Sequence, residues 1–166
     1  NGQIKLERTY NFGQIFREKN YQNGVEMNDT SFSFNENGQI EKESKFINEK
    51  LISYSELTYY PNGFKHREIN FKMGNSIAKR HGKGTMWYEN GQKNAETIYK
   101  DDKKEGKSLV WHENGMKMGE ANYKDDKLHG KSISWFENGQ ISEEINYKDG
   151  KLDGKVTWWF SNGQIK

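Results

Sequence analysis

The dipeptide Asn-Gly recurs along this chain at nearly even intervals. It occupies positions 37–38, 62–63, 90–91, 114–115, 138–139 and 162–163, and the last three intervals are each 24 residues. A fixed period of this size indicates a repeat protein. Asn-Gly between alternating apolar residues is also the strongest local hairpin signal, because a type I′ turn needs positive φ at both central residues. The chain is therefore predicted to be an array of hairpins with Asn-Gly as type I′ turns.

Two aromatic positions accompany this period. Eight residues after each repeat glycine, beginning with Gly13, come Tyr21, Phe46, Phe71, Tyr99, Tyr123 and Tyr147. Four residues before each Asn-Gly glycine come Phe34, Tyr59, Trp87, Trp111, Trp135 and Trp159. Eleven residues after the glycine a second turn follows, mostly within Lys-Asp-Asp-Lys or Lys-Asp-Gly-Lys. Each repeat is thus one hairpin with a turn at either end.

The turns, counted from Gly2 to Gly163, separate about thirteen strand-length segments. We predict an all-β fold: an elongated, twisted and curved antiparallel meander of hairpins in a single sheet. Only 31% of the residues are hydrophobic, but nine Phe, nine Tyr and five Trp argue against disorder. The composition therefore favours a thin fold with much exposed surface.

The array is predicted to be uneven along its length. Residues 1–74 are degenerate copies and residues 84–166 are regular 24-residue copies, while 75–83 contains four extra residues that form a bulge, a longer loop or a kink. The chain opens and closes with Asn-Gly-Gln-Ile-Lys, which indicates a piece of a longer array.

Several short stretches carry a family resemblance. DDKKEGK (101–107), DDKLHGK (125–131), DGKLDGK (149–155) and RHGKG (80–84), each followed by an aromatic residue and Asn-Gly, resemble MORN repeats and most closely the bacterial MORN variant. The resemblance implies β-hairpin arrays that serve as scaffolds or interaction modules. Bacterial relatives often carry the label of antitoxin, so it also implies an antitoxin-like role.

Strand parity predicts two unlike faces. If both turns are two-residue loops, Phe136 pairs with Ile141 and Tyr147 with Leu152. One face of the last repeat is then apolar, with Ile141, Ile145, Tyr147, Leu152, Val156, Trp158 and Phe160. The other face is polar and carries the aromatic row Phe34, Tyr59, Trp87, Trp111, Trp135 and Trp159. An odd-length loop would move this row to the other face.

The row is too widely spaced for its rings to touch. Equivalent residues of successive repeats lie two strands apart, about 9.6 Å, whereas stacked ring centroids lie about 4.5 to 7 Å apart. The gaps must be filled by side chains such as Asn122, Glu120 and Glu144, or by a ligand. The row is therefore either a stiffening device or the face that binds a partner.

A basic window forms a second candidate site, with Lys65, Arg67, Lys72, Lys79, Arg80 and Lys83 against Glu68 alone. It suits an acidic protein or lipid headgroups, and it is equally well explained as a solvated face. A net charge of only +2 argues against dedicated nucleic-acid binding.

No catalytic, cofactor or metal site is expected. The chain has no Cys, its four His fall at four different repeat positions, and Asp101-Asp102 and Asp125-Asp126 are explained by turn chemistry. Nucleophile-elbow and phosphate-loop motifs are missing from the sequence, as is an apolar run long enough for a transmembrane helix.

We therefore expect a non-enzymatic repeat scaffold that binds a protein or peptide partner through an extended sheet surface. Two alternatives stay open: a cell-surface module for cell-wall carbohydrate, and a module that binds phospholipid headgroups through residues 65–83. The compartment and the partner are not specified by the sequence.

Overall fold

The computed structural model describes residues 4–166, which form one open antiparallel sheet. Its strands are β1 (Ile4–Asn11), β2 (Gln14–Gln22), β3 (Val25–Phe34), β4 (Ile40–Ile47), β5 (Lys50–Tyr59), β6 (Lys65–Met73), β7 (Ala78–Trp87), β8 (Lys93–Lys100), β9 (Lys103–Trp111), β10 (Lys117–Lys124), β11 (Lys127–Leu128), β12 (Gly130–Trp135), β13 (Ile141–Lys148) and β14 (Lys151–Trp158). They pair in sequence order. The predicted meander is confirmed, with β11 and β12 as one segment interrupted at His129. The turn predicted at Gly2 lies outside the described residues.

The type I′ geometry predicted for Asn-Gly occurs at the second kind of turn instead. The Asp-containing turns are the type I′-like ones, because both central residues have positive φ, as at Asp101 (51°) and Asp102 (75°). At the six periodic Asn-Gly copies only the glycine has positive φ, for example 83° at Gly91. The prediction that these copies form type I′ turns is wrong, whereas Asn23-Gly24, with φ of 53° and 80°, is type I′-like.

Asn-Gly instead closes a five-residue loop. In residues 88–92 the Gly91 N–H donates to the Tyr88 carbonyl (2.9 Å), and the Tyr88 N–H donates to the Gln92 carbonyl (2.8 Å). The loop leaves Trp135, not Phe136, opposite Ile141, so that predicted pair is wrong. The predicted pair of Tyr147 and Leu152 is confirmed.

A β-bulge beside each loop restores the predicted faces. The register shifts between Ser134 and Trp135, so that Ser134 pairs with Glu143 while Trp135 pairs with Ile141. One strand thus gains a residue and the odd loop length is compensated. Beyond the bulge, Glu144 faces Thr157 and Ile145 faces Val156, in agreement with the predicted parity.

A second bulge lies on β7, β9, β12 and β14. Gly82, Gly106, Gly130 and Gly154 all have positive φ, between 84° and 97°. At two of these bulges an Asn amide on the preceding strand, Asn70 or Asn122, donates to the carbonyl just after the glycine, at 2.6 and 3.1 Å. The bulge turns the following lysine towards the face that carries the tryptophans.

The sheet is a single layer without a hydrophobic core. Among the described residues no hydrophobic side chain is buried, and the buried residues are Asp29, Ser44, Gly84 and Thr85. We call the face with Trp87, Glu96 and Lys83 the tryptophan face. The opposite face, with Tyr99, Tyr123 and Ile145, is the tyrosine face.

The four extra residues between β6 and β7 lengthen one hairpin. Met73 pairs with Ala78, one pair beyond the usual end, and the Gly74 N–H donates to the Ile77 carbonyl (3.0 Å). The insertion is therefore a longer loop, residues 74–77. Its Ile77 is 71% exposed.

Candidate functional site

The aromatic row predicted from the sequence lies along the tryptophan face, and its gaps are occupied. Each aromatic residue pairs with the second residue after the next Asn-Gly: Phe34 with Ile40, Tyr59 with Lys65, Trp87 with Lys93, Trp111 with Lys117 and Trp135 with Ile141. Ile141, which was predicted on the apolar face, therefore joins this row. All six aromatic side chains are half-buried.

The lysines of this row contact the next ring along. The Nζ atoms of Lys65, Lys93 and Lys117 lie 5.6, 5.7 and 5.6 Å from the ring centroids of Trp87, Trp111 and Trp135. These distances fit cation–π contacts. The gaps are thus filled by lysine and isoleucine, not by Asn122, Glu120 and Glu144 as predicted.

A carboxylate joins each of Lys93 and Lys117 to a second lysine. Glu96 contacts Lys93 at 2.9 Å and Lys83 at 3.4 Å, and Glu120 contacts Lys117 at 3.2 Å and Lys107 at 2.5 Å. In the last repeat Lys131 contacts Glu144 at 2.8 Å. This pattern, which we call the lysine–glutamate ladder, covers the tryptophan face from β7 to β13.

The ladder changes the acidity of its carboxylates. The hydrogen bond from Lys107 is the main cause that lowers the pKa of Glu120, with help from Lys117. Partial burial by itself would raise the pKa of Glu96, but Lys93 and Lys83 outweigh it and lower that pKa. Both carboxylates therefore stay ionised and paired at neutral pH.

On the same face, strands β2 to β7 carry a continuous groove. Three cavities of about 280, 380 and 480 Å³ follow one another across these strands. The first and second share Glu18 and Phe32, and the second and third share Glu43, Lys45 and Ile52. The tryptophan face is thus open in its first half and filled in its second.

The two ends of the groove differ in chemistry. The β2–β4 end is apolar, with Ile15, Phe32, Phe34 and Ile40. The β5–β7 end is more basic, because Lys45, Lys72, His81 and Lys83 line it together with a single carboxylate, Glu43. Its remaining lining is polar at Ser53, Ser55 and Asn70 and apolar at Ile52, Tyr54 and Phe71. Of the predicted aromatic row, only Phe34 lines any of the three cavities.

Short side chains at two positions explain why the groove exists. In the regular repeats Lys107 pairs with Asn122 and Lys131 with Asn146, and these long side chains cover the middle of the face. At the equivalent positions of the first half, Thr30 pairs with Lys45 and Ser55 with Asn70. The Ser55 hydroxyl only reaches the Asn70 side chain (2.6 Å), so the space above stays open.

The structure does not bring the six residues of the basic window together. Lys65, Lys72, Lys79 and Lys83 lie on the tryptophan face, whereas Arg67 and Arg80 lie on the tyrosine face, as their strand pairing shows. Lys65, Arg80 and Lys83 are paired with Glu68, Asp102 and Glu96. Within residues 4–166, Arg67, Lys72 and Lys79 make no salt bridge.

Lys72 lines the basic end of the groove, and Lys79 lies directly opposite it in the β6–β7 ladder. Both side chains are exposed. Like charges opposite each other on antiparallel strands are destabilising. Asp102, whose pKa is lowered chiefly by Arg80 and also by Lys79, compensates the charge of Lys79 only in part.

The tyrosine face holds an ion pair that the sequence did not reveal. Asp29 is 1% exposed, and the Arg17 guanidinium donates to both of its carboxylate oxygens, with Nε–Oδ1 at 2.7 Å. Arg17 chiefly lowers the pKa of Asp29, against the opposing effect of burial. The pair lies beneath the groove and ties β2 to β3.

Comparison with known proteins identifies the repeat. A model of the MORN repeat variant matches residues 30–48, 80–101, 104–125, 128–149 and 152–166, more than half of the chain. The chain therefore belongs to the MORN repeat variant family, and this membership supports a scaffold or binding module. Ser53, Ser55 and Lys72 lie between the matched segments.

Two further comparisons add little. The crystal structure of a protein with unknown function from Bacteroides fragilis is similar at 10% identity, covering 98% of this chain and 96% of that chain, with a TM-score of 0.23. A likeness at that TM-score supports no inference. No curated protein matches the chain.

The described residues contain no helix long and apolar enough to cross a membrane. They also contain no cluster of three metal-ligating side chains.

Proposed function

We propose that this chain is a non-enzymatic scaffold that binds a protein or peptide partner on its tryptophan face. The observation that supports this proposal is the contrast along that face. The lysine–glutamate ladder covers it from β7 to β13, whereas the groove leaves it open from β2 to β7. Binding sites are concave, apolar in part, and carry a few placed polar groups, and the groove has these properties. An antitoxin-like role is one use of such a surface, with a toxin as the captured partner.

The aromatic row is reassigned within this proposal. Trp87, Trp111 and Trp135 each contact a lysine of their own chain, so they stiffen the filled half of the sheet. Phe34 contributes to the groove's apolar end and serves the partner.

An unbiased selection tests the proposal. A displayed library of random peptides is selected on the wild-type protein, and the recovered peptides are measured against Ser55→Lys and Thr157→Lys. Ser55→Lys restores the lysine of the regular repeats and fills the groove, while Thr157→Lys adds the same charge on the same face outside it. We expect binding to survive in Thr157→Lys and to be lost in Ser55→Lys. Failure to recover any peptide, or equal binding by both variants, would contradict the proposal.

Anionic lipid is a second candidate partner, because Lys72 and Lys79 flank a loop whose Ile77 is 71% exposed. A polybasic surface binds anionic lipids and weakens with salt. Co-sedimentation with phosphatidylserine vesicles that is lost in Lys72→Gln/Lys79→Gln would support this candidate, and sedimentation indifferent to salt would remove it. No comparable observation favours a glycan, since lysine and isoleucine side chains occupy the gaps of the aromatic row.

A further inference from the structure

The groove's two ends differ enough to specify the chemistry of what fills it. From the β3 phenylalanines to Lys72 on β6 and Lys83 on β7 there are three to four strand steps, or about 14 to 19 Å at roughly 4.8 Å per step. An extended peptide rises about 3.3 Å per residue. Two side chains of one peptide that occupy both ends are therefore about four to six residues apart.

The apolar end suits one bulky side chain. Its cavity of about 280 Å³ is lined by Ile15, Phe32, Phe34 and Ile40, with Gln14 and Glu18 at its margin. An aromatic or leucine side chain of a partner would bury apolar area there that is now exposed to water. Such an anchor is typical of the residues that dominate protein interfaces.

The basic end suits a carboxylate. Lys72 and Lys79 repel each other across the β6–β7 ladder, and neither makes a salt bridge within residues 4–166, although Asp102 attracts Lys79 and Glu43 lines the same end of the groove. Lys83 and His81 line the same end, where the Lys83 ammonium is shared with Glu96 at 3.4 Å. An acidic side chain would therefore form an attractive contact and relieve a repulsion at the same time.

Resting on the function proposed above, we infer that the groove selects an extended peptide with a bulky apolar residue and an acidic residue about five positions apart. The apolar residue enters the Phe32–Phe34 end, and the acidic residue meets Lys72 and Lys79. The middle of the groove, with Asn20, Asn28 and Thr30, hydrogen-bonds the backbone between them and imposes little sequence preference.

Synthetic labelled peptides test this inference by fluorescence anisotropy. The series keeps one Phe and places one Asp two to nine positions away in an otherwise Ser/Gly peptide. We expect the tightest binding at a separation of four to six, about tenfold weaker binding when Asp is replaced by Lys, and a similar loss in Lys72→Gln/Lys79→Gln. Lys148→Gln, far from the groove, is the matched control and should bind as the wild type does.

The outcomes separate this inference from the proposed function. If library peptides bind wild type but not Ser55→Lys, yet lack an apolar and an acidic residue at this separation, the inference is wrong and the proposed function stands. If no peptide binds and phosphatidylserine vesicles are captured through Lys72 and Lys79 instead, both are wrong and the occupant is lipid. Far-UV circular dichroism of each variant excludes misfolding, and Phe34→Ala gives a second, uncharged test of the apolar end.

Discussion

The two halves of the sheet are built from the same hairpin but carry different side chains on the tryptophan face. From β7 onward the repeats carry a long lysine at one position of the tryptophan face, at Lys83, Lys107 and Lys131, and each of these contacts a glutamate. From β2 to β6 those lysines are replaced by Thr30 and Ser55, and the space they vacate is the groove.

The difference shows that a repeat array without a core can be stabilised by side chains that bridge neighbouring hairpins. Where the bridge is complete, no room is left for a partner. Where it is missing, local stability must come from other contacts, and the buried pair of Arg17 and Asp29 lies in that region. The regular half thus has the more complete set of side-chain bridges, and the irregular half is the part to which our proposal assigns binding.

The largest effect is expected from removing a ring of the regular half. Trp111→Ala removes a half-buried indole that Lys93 contacts, and should lower the free energy of unfolding by about 3 kcal/mol. Urea denaturation followed by circular dichroism measures it. Peptide binding at the groove should persist in the folded variant, and a loss of binding without a loss of stability would reverse the roles assigned to the two halves.

The next effect concerns the irregular half. Asp29→Asn leaves Arg17 without its carboxylate and should cost about 2 kcal/mol, less than for a fully buried pair because Arg17 is partly solvated. Because Arg17 lowers the pKa of Asp29, the stabilisation is present at neutral pH and is lost as the pH falls below the usual carboxyl range. Asp102→Asn, at an exposed turn, is the control, and an equal effect there would show that burial is unimportant.

Ladder carboxylates should have a smaller effect with a defined pH dependence. Glu120→Gln should lower stability by about 1 kcal/mol at pH 7, since two ammonium groups lose an anionic partner. The pKa of Glu120 is lowered in the folded chain, so the difference from wild type should be complete above the ordinary carboxyl pKa and vanish in acid. Urea titrations at pH 7 and pH 3 measure this, and a difference that persists at pH 3 would contradict an ionic origin.

The smallest effect distinguishes the loop at residues 35–39 from the later Asn-Gly loops. The Asn90 side chain donates to the Glu113 carbonyl (3.0 Å) and accepts from the Gln92 N–H (2.9 Å). In the loop at residues 35–39 the Asn35 side chain, not that of Asn37, accepts from the Gln39 N–H (2.9 Å). Asn90→Ala should cost about 0.5 kcal/mol. Asn35→Ala should cost about the same and Asn37→Ala almost nothing. Thermal unfolding of the three variants checks the order, which would fail if Asn37→Ala were the most damaging.

Much of the fold could be predicted because the period itself is a physical constraint. Turn residues every 11 to 13 positions leave room only for short strands, and aromatic residues at fixed offsets mark their faces. The turn type at the periodic Asn-Gly copies was predicted wrongly, because Asn-Gly suits both a two-residue turn and a five-residue loop whose fourth residue is a glycine with positive φ. Propensity at Asn-Gly alone does not separate these two cases.

The groove was harder to predict than the sheet. Its signal was present, since Thr30 and Ser55 replace lysine at an otherwise lysine-bearing position, but their significance depends on the register between strands. Two bulges in each regular hairpin decide that register, one beside the Asn-Gly loop and one at the glycine with positive φ. Neither bulge can be predicted from the alternation of apolar and polar residues along a strand. Similarly, the six basic residues are close in sequence but alternate between faces.

The strictly sequential pairing of the strands has a mechanical consequence. In residues 4–166 each strand pairs only with the strands next to it in the chain, and no described segment returns to link distant repeats. A force applied to the two ends of the chain would therefore peel hairpins from the edges one at a time and load only a few hydrogen bonds at once. Each regular repeat of 24 residues would release about 80 Å of chain at roughly 3.3 Å per residue. The sheet would thus lengthen in equal steps at low force, as an extensible tether.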